Sequence, residues 1–197
     1  MIEKTKAFVR EVFAGDASGH DFDHTIRVFS MATRLAQEEG ADLRIVQLAA
    51  LLHDVDDHKL SPETHAGKLR ALNFLKENHV DADTITKIIE IISRISYSAH
   101  LPPPDSIEGK CVQDADRLDA MGAIGIARAF AYGGSRGRRM HDPDRLDHTT
   151  TIEHFYDKLL LLTESMQTAT GRRLAQQRDL VMRSYLETFY AEWNGLR

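Results

Sequence analysis

This chain of 197 residues has few of the residues that staple or interrupt a fold. It contains one cysteine, Cys111, so an intramolecular disulfide is excluded and a reducing, cytoplasmic setting is the expectation. No stretch approaches the roughly 18 uncharged apolar residues of a membrane span. The first residues, MIEKTKAFVREVFAG, lack the apolar centre and small-residue cleavage site of a secretory signal. Basic charge is also short: the formal net charge is −5, which argues against duplex nucleic acid as a partner. A small anionic ligand met by a local basic cluster stays open. Proline and glycine cluster near 101–109 and 133–143, and neither cluster reads as a flexible interdomain linker. What the chain does have in number is histidine, ten in all.

The hydrophobic pattern is helical almost throughout. In DFDHTIRVFSMATRLAQEEG, Phe22, Ile26, Phe29, Thr33 and Ala36 recur at helical spacing, and Gly40 is a terminator. DLRIVQLAALLHD is apolar on nearly every side, the mark of a central buried helix. SPETHAGKLRALNFLKEN opens on Ser-Pro with an early Glu and reads as one helix. DADTITKIIEIISRIS carries an Asp cap and a stripe of Ile88, Ile91, Ile92 and Ile95. LPPPDS breaks the chain, and EGKCVQDADRLDAMGAIGIARAFAY resumes as one or two helices with a bend at Gly122 or Gly125. GGSRGRRMHDPDRLDH reads as a loop over 133–148, and two more helices follow at about 150–195. No alternating strand pattern competes, so residues 1–197 are expected to form one all-α domain.

Three segments carry chemistry. In LLHDVDDHKL, His53 and Asp54 stand at the end of the apolar helix, where an imidazole and a carboxylate can reach one ion. Such a mixed nitrogen and oxygen set suits Mn²⁺, Fe²⁺, Zn²⁺, Ni²⁺ or Mg²⁺ better than Cu(I). A polar helix end in water is the competing explanation. In HDFDHTIRV, His24 lies at the end of a stripe continued by Val28, Met31 and Leu35, and His20, His24 and Arg27 share a face. A guanidinium one turn from a metal ligand suits a phosphate oxygen. In QDADRLDAMG, Asp114, Asp116 and Asp119 fall within six positions of an apolar segment, where a cation or arginine must compensate them.

Together these segments resemble the HD-domain metal-dependent phosphohydrolase superfamily, whose pattern is a histidine, a His-Asp pair and a later aspartate. Here these are His24, His53-Asp54 after 28 intervening residues, and an aspartate of ADRLDAMG. HDVDDHK, QDADRLDAMGAIGIARAFAYGG and EHFYDKLLLL look closer still to the bacterial stand-alone branch, where nucleotide pyrophosphohydrolase activity is known. The resemblance implies a single HD-domain helical bundle, a metal-binding core at about 20–125, and additional C-terminal helices. It implies one divalent ion, Mn foremost with Mg, Co, Ni, Zn or Fe as alternatives, held by His24, His53, Asp54 and Asp116. Asp114 and Asp119 compete for the last place. Asp57, one turn past His53, is the candidate base or water-orienting group, with Asp56 as the fallback. Lys59 and Arg27 are candidates for phosphate oxygens.

A triphosphate demands more positive charge than one ion supplies. Arg136, Arg138 and Arg139 lie on the glycine-bearing loop, and His154, Tyr156 and Lys158 fall in the segment after it. A solvated charge run and a core stripe of Phe155, Leu159 and Leu162 are the plain alternatives. Residues 133–137 match G-x-S-x-G, but a helical segment precedes the serine and a charged loop follows, which excludes a serine hydrolase. The leading expectation is hydrolysis of nucleoside triphosphates to monophosphate and pyrophosphate. A nucleoside monophosphate phosphatase, a non-catalytic nucleotide sensor and a closed structural metal site stand behind it. The protein is expected to be a monomer or homodimer with no membrane partner.

Overall fold

The structure, a computed structural model, describes residues 1–14, 21–58, 61–95, 102–144 and 146–196. Among these no strand occurs, and the fold is all-α. The helices are α1 (Ile2–Val12), α2 (Phe22–Glu39), α3 (Leu43–Leu52), α4 (Pro62–His65), α5 (Leu69–Glu77), α6 (Ala82–Arg94), α7 (Ile107–Asp119), α8 (Gly122–Ser135), α9 (Thr151–Asp157) and α10 (Ala169–Trp193). A 3₁₀ helix, η1, covers Leu159–Ser165. Two compact units divide the chain, Met1–Asp116 and Arg117–Arg197.

In the first unit α3 is the centre, packed against α1, α2 and α6. Seven of its ten residues are buried, because only Arg44 and Gln47 give it polar side chains to turn outward. Asp42 caps it by accepting from the backbone N–H groups of Arg44 and Ile45. The α2 stripe that enters the core is His24, Thr25, Val28, Ala32, Leu35 and Ala36. Phe22, Ile26, Phe29 and Thr33, which share the helical spacing, stay only partly covered. Two of them are roofed by cations of α1: Lys6 lies over the Phe29 ring and Arg10 over the Phe22 ring. Gly40 ends α2 in the left-handed region at φ 71°, as its position suggested. The isoleucines of α6 line one buried face.

The segment 61–78 departs from expectation. It is not one helix from the Ser-Pro start but a four-residue turn, α4, and a separate α5. Lys68 sits between them with φ 49° and ψ 43°, a left-handed conformation uncommon for a residue with a side chain.

In the second unit α8, α9 and η1 pack with one another and with α10. α8 begins at Gly122, whose φ of 67° makes the break that the sequence placed at Gly122 or Gly125. α8 runs to Ser135, so the expected loop begins at Arg136 rather than at Gly133. Phe155, Leu159 and Leu162 are buried, as their spacing implied. Phe130, Phe155, Tyr185 and Phe189 form an aromatic core in this unit.

Candidate metal centre

The centre is assembled in the first unit by the start of α2, the end of α3 and α7. Asp21 fixes the first turn of α2, its carboxylate accepting from the His24 N–H at 2.7 Å. That cap sets where the helix begins and so which way the buried His24 ring projects. His53 follows the last residue of α3, with its ring among apolar neighbours and 4% of the residue exposed. Its Nδ1 lies 2.8 Å from the Ala50 carbonyl, to which it donates, leaving Nε2 with the lone pair. Nε2 is buried without an aligned hydrogen bond.

Both imidazoles face the same carboxylates. His24 Nε2 is 3.6 Å from Asp54 Oδ2 and 3.5 Å from Asp116 Oδ1. His53 Nε2 is 3.2 Å and 3.9 Å from the same two atoms. Ligand atoms about 2.0–2.2 Å from one ion stand about 3–3.6 Å apart, so this donor set fits a single divalent cation. His24, His53 and Asp54 alone already bring three ligand atoms within 4.8 Å of one another. The field in the cluster also asks for a cation. Burial by itself would lower the His53 pKa, but Asp54, Asp116 and the Ala50 carbonyl together outweigh it and raise the ring to about 9. Two carboxylates beside two buried imidazoles thus favour a positive charge among them, whether proton or metal.

The neighbouring acids take different parts. Asp56 is fully buried, and its two oxygens accept from the N–H groups of Arg70 and Ala71 at 3.1 and 3.0 Å. It caps α5 and is thereby committed to structure. Asp57 is partly exposed, and its N–H donates to the Asp54 carbonyl, which holds it in the same turn as the His-Asp pair. Asp119 pairs with Arg128 at 2.6 Å, and Asp114 is fully buried. Arg27 lies on α2 one turn beyond His24, partly covered. His20 and Lys59 lie outside the described residues.

Lys68 escaped the sequence reading. It is 9% exposed, and its ammonium feels Asp56, Asp54 and Asp57; burial nevertheless lowers its pKa, and those carboxylates only partly restore it. No periodicity announces a lysine buried at a helix break, and the only sequence sign was Gly67 just before it.

The remaining candidates belong to the second unit. Arg136 and Arg138 both lie over the Tyr132 ring, at 5.4 and 5.5 Å from its centroid. Burial lowers the His154 pKa, and the charges of Lys158 and Arg138 lower it further. Asp157 acts in the opposite sense and raises it. Arg139 turns instead to Asp142 at 3.2 Å. Tyr156 is exposed.

Comparison with known proteins identifies the family. Residues 21–121 match the HD domain family. A protein of Bacillus subtilis called YpgQ is 36% identical over 98% of this chain and 94% of its own length. The crystal structure of YpgQ in complex with ADP covers the whole of both chains with a TM-score of 0.85. A crystal structure described as an HD-superfamily hydrolase, from Bacillus thuringiensis, is 44% identical, with a TM-score of 0.84 over 98% of this chain and 96% of that one.

Proposed function

The chain belongs to the HD-domain family, and from that premise we propose that it is a metal-dependent phosphohydrolase of nucleotides, cleaving nucleoside triphosphates to monophosphate and pyrophosphate. The observation that carries the reading is that Nε2 of both His24 and His53 lies 3.2–3.9 Å from Asp54 Oδ2 and from Asp116 Oδ1. The nucleotide part is supported by the ADP bound in the crystals of YpgQ.

In this reading His24, His53, Asp54 and Asp116 hold one divalent ion, with manganese favoured. A bound ion of this kind lowers the pKa of a coordinated water and neutralises phosphate charge. The protein's own part is to hold the ligands rigidly: Ala50 fixes the tautomer of His53, and Asp21 fixes the turn that carries His24. Asp57 is the proposed base. It takes the proton of the attacking water as the water oxygen bonds to the α-phosphorus and the bridging oxygen leaves with its electron pair on pyrophosphate. Arg27 is assigned to a phosphate oxygen, as is Lys59 on its sequence position. Arg136, Arg138, His154 and Lys158 are assigned to substrate by charge.

The test is to strip the purified protein, reload it separately with Mn²⁺, Co²⁺, Ni²⁺ and Mg²⁺, and follow products from nucleoside mono-, di- and triphosphates. Monophosphate plus pyrophosphate is expected. Orthophosphate released from a monophosphate instead identifies a nucleotidase. Metal uptake with no turnover of any nucleotide sinks the enzyme reading and leaves a sensing module.

A further inference from the structure

We propose that His65 is a positioning residue for the metal centre: its Nδ1–H holds the turn that carries the ligand Asp54 and the base Asp57. The inference deepens the phosphohydrolase reading and rests on its assignment of Asp54 as a ligand.

Asp54 and Asp57 stand past the end of α3, in a stretch that no helix holds. Two tight-turn bonds shape it: the Val55 N–H donates to the Leu52 carbonyl and the Asp57 N–H to the Asp54 carbonyl. The next three carbonyls in the chain are all met by the segment that opens α4. The Val55 carbonyl accepts from the Ser61 hydroxyl at 3.2 Å and the Asp57 carbonyl from the Ser61 N–H at 2.8 Å. The Asp56 carbonyl between them lies 2.8 Å from His65 Nδ1. A carbonyl oxygen only accepts, so Nδ1 carries the proton and donates it. His53 uses the same device, its Nδ1 donating to the Ala50 carbonyl.

The form of α4 agrees with such a role. Ser61 holds its N-cap position, where a serine oxygen ordinarily accepts from an N–H of the first turn. Ser61 makes no cap bond; it is fully buried, and its hydroxyl goes to Val55 instead. The helix is four residues long and ends at His65, so its single turn brings the imidazole back to a carbonyl nine positions earlier. The geometry of that carbonyl matters for the centre. The Asp56 carbonyl and the Asp57 N–H belong to one planar peptide unit. His65 holds one edge of the plane and the Asp54 carbonyl the other. Without the His65 bond this plane is free to rotate, and Asp54 and Asp57 on either side shift with it. Asp54 Oδ2 then loses its set distances of 3.6 and 3.2 Å to the two imidazoles, and an ion gripped by all three loses affinity.

The probe is Mn²⁺ alone, without nucleotide. Its dissociation constant is measured by calorimetry on the full chain for the wild type, His65→Ala and His65→Asn. Conditions are chosen where urea titration shows each protein fully folded, so lost stability by itself leaves the constant unchanged. Asparagine carries an amide N–H on Cγ, the carbon that bears Nδ1 in histidine, whereas alanine has no donor. His65→Ala is expected to weaken Mn²⁺ binding about tenfold or more, and His65→Asn to stay within about threefold of the wild type. Should the alanine variant fail to fold, His65→Leu, which keeps bulk but has no donor, takes its place with the same expectation. Equal Mn²⁺ affinity in the wild type and the donor-less variant overturns the proposal. So does an asparagine variant as weak as alanine, since the ring and not its N–H would then be what counts. A wild type that takes up no Mn²⁺ overturns the ligand assignment itself, and the role of His65 falls with it.

Discussion

An imidazole ligates a metal well only when its ring is held and its lone pair is aimed. His53 meets both conditions through one hydrogen bond to Ala50 and a wall of buried leucines. Replacing His53 or His24 with alanine is expected to abolish stoichiometric metal uptake, measured by elemental analysis of dialysed protein, and to lower any turnover more than about 100-fold. Asp56 is predicted to behave differently from its neighbour Asp57. Asp56→Ala leaves two N–H groups of α5 unpaired and should cost about 1–3 kcal/mol in urea unfolding. Asp57→Asn should leave unfolding unchanged and depress turnover. Cys111 gives a pH prediction. Burial pushes its thiol up from 9.0 to about 12, so the neutral form is favoured in the folded state. Its stabilising contribution is complete below pH 9 and fades as pH rises toward 12. Cys111→Ala should therefore show a flatter loss of stability than the wild type between pH 9 and 11. At pH 8 the wild-type thiol should react with an aromatic disulfide only after denaturant is added.

At the level of the helix, legibility followed the strength of the pattern. α3 was plain because eight of its ten residues are apolar, and α6 because isoleucine repeats at helical spacing. α2 was found with its Gly40 terminator, and His24, Val28 and Leu35 of the apolar stripe read from the sequence are buried. Phe22 and Phe29 look like core residues, but α1 covers them with cations while the smaller Thr25, Val28 and Ala32 go inside. The α4–α5 break was missed because Asp56, a residue distant in sequence, holds the start of α5. The break before α8 was announced by glycine, and its demands are testable. A methyl group at Gly125 would run into the Ala120 carbonyl, and one at Gly122 would meet Arg178 Cγ at 3.1 Å on a left-handed backbone. Gly125→Ala is expected to destabilise by about 2 kcal/mol or more in thermal unfolding, because backbone must move to admit it.

At the scale of the whole chain, all four proposed ligands lie within Met1–Asp116. Metal binding should therefore appear as stabilisation of that unit. A divalent ion at 100 times its dissociation constant adds about 2.7 kcal/mol. For a chain of this size that corresponds to a rise in Tm of about 5–10 °C, lost on adding a chelator, as scanning calorimetry would record. Unchanged melting with and without Mn²⁺ would contradict the ligand assignment. No helix is long and apolar enough to cross a membrane among the described residues.

The hydrophobic pattern by itself carried the all-α class and the buried character of α3, while the resemblance to HD-domain proteins is what grouped His24, His53 and Asp54. Helical periodicity, caps and donor chemistry are local properties, and they survive without coordinates. Tertiary structure decided the rest. The resemblance placed Asp116 ahead of Asp114 and Asp119, and the packing of the first unit puts its Oδ1 3.5 Å from His24 Nε2. Asp57 stood ahead of Asp56 in the sequence reading, and α5 claims both oxygens of Asp56. Lys68 drew no reading in the sequence, and its place in the break before α5 depends on a contact between segments more than ten residues apart, which no local pattern encodes.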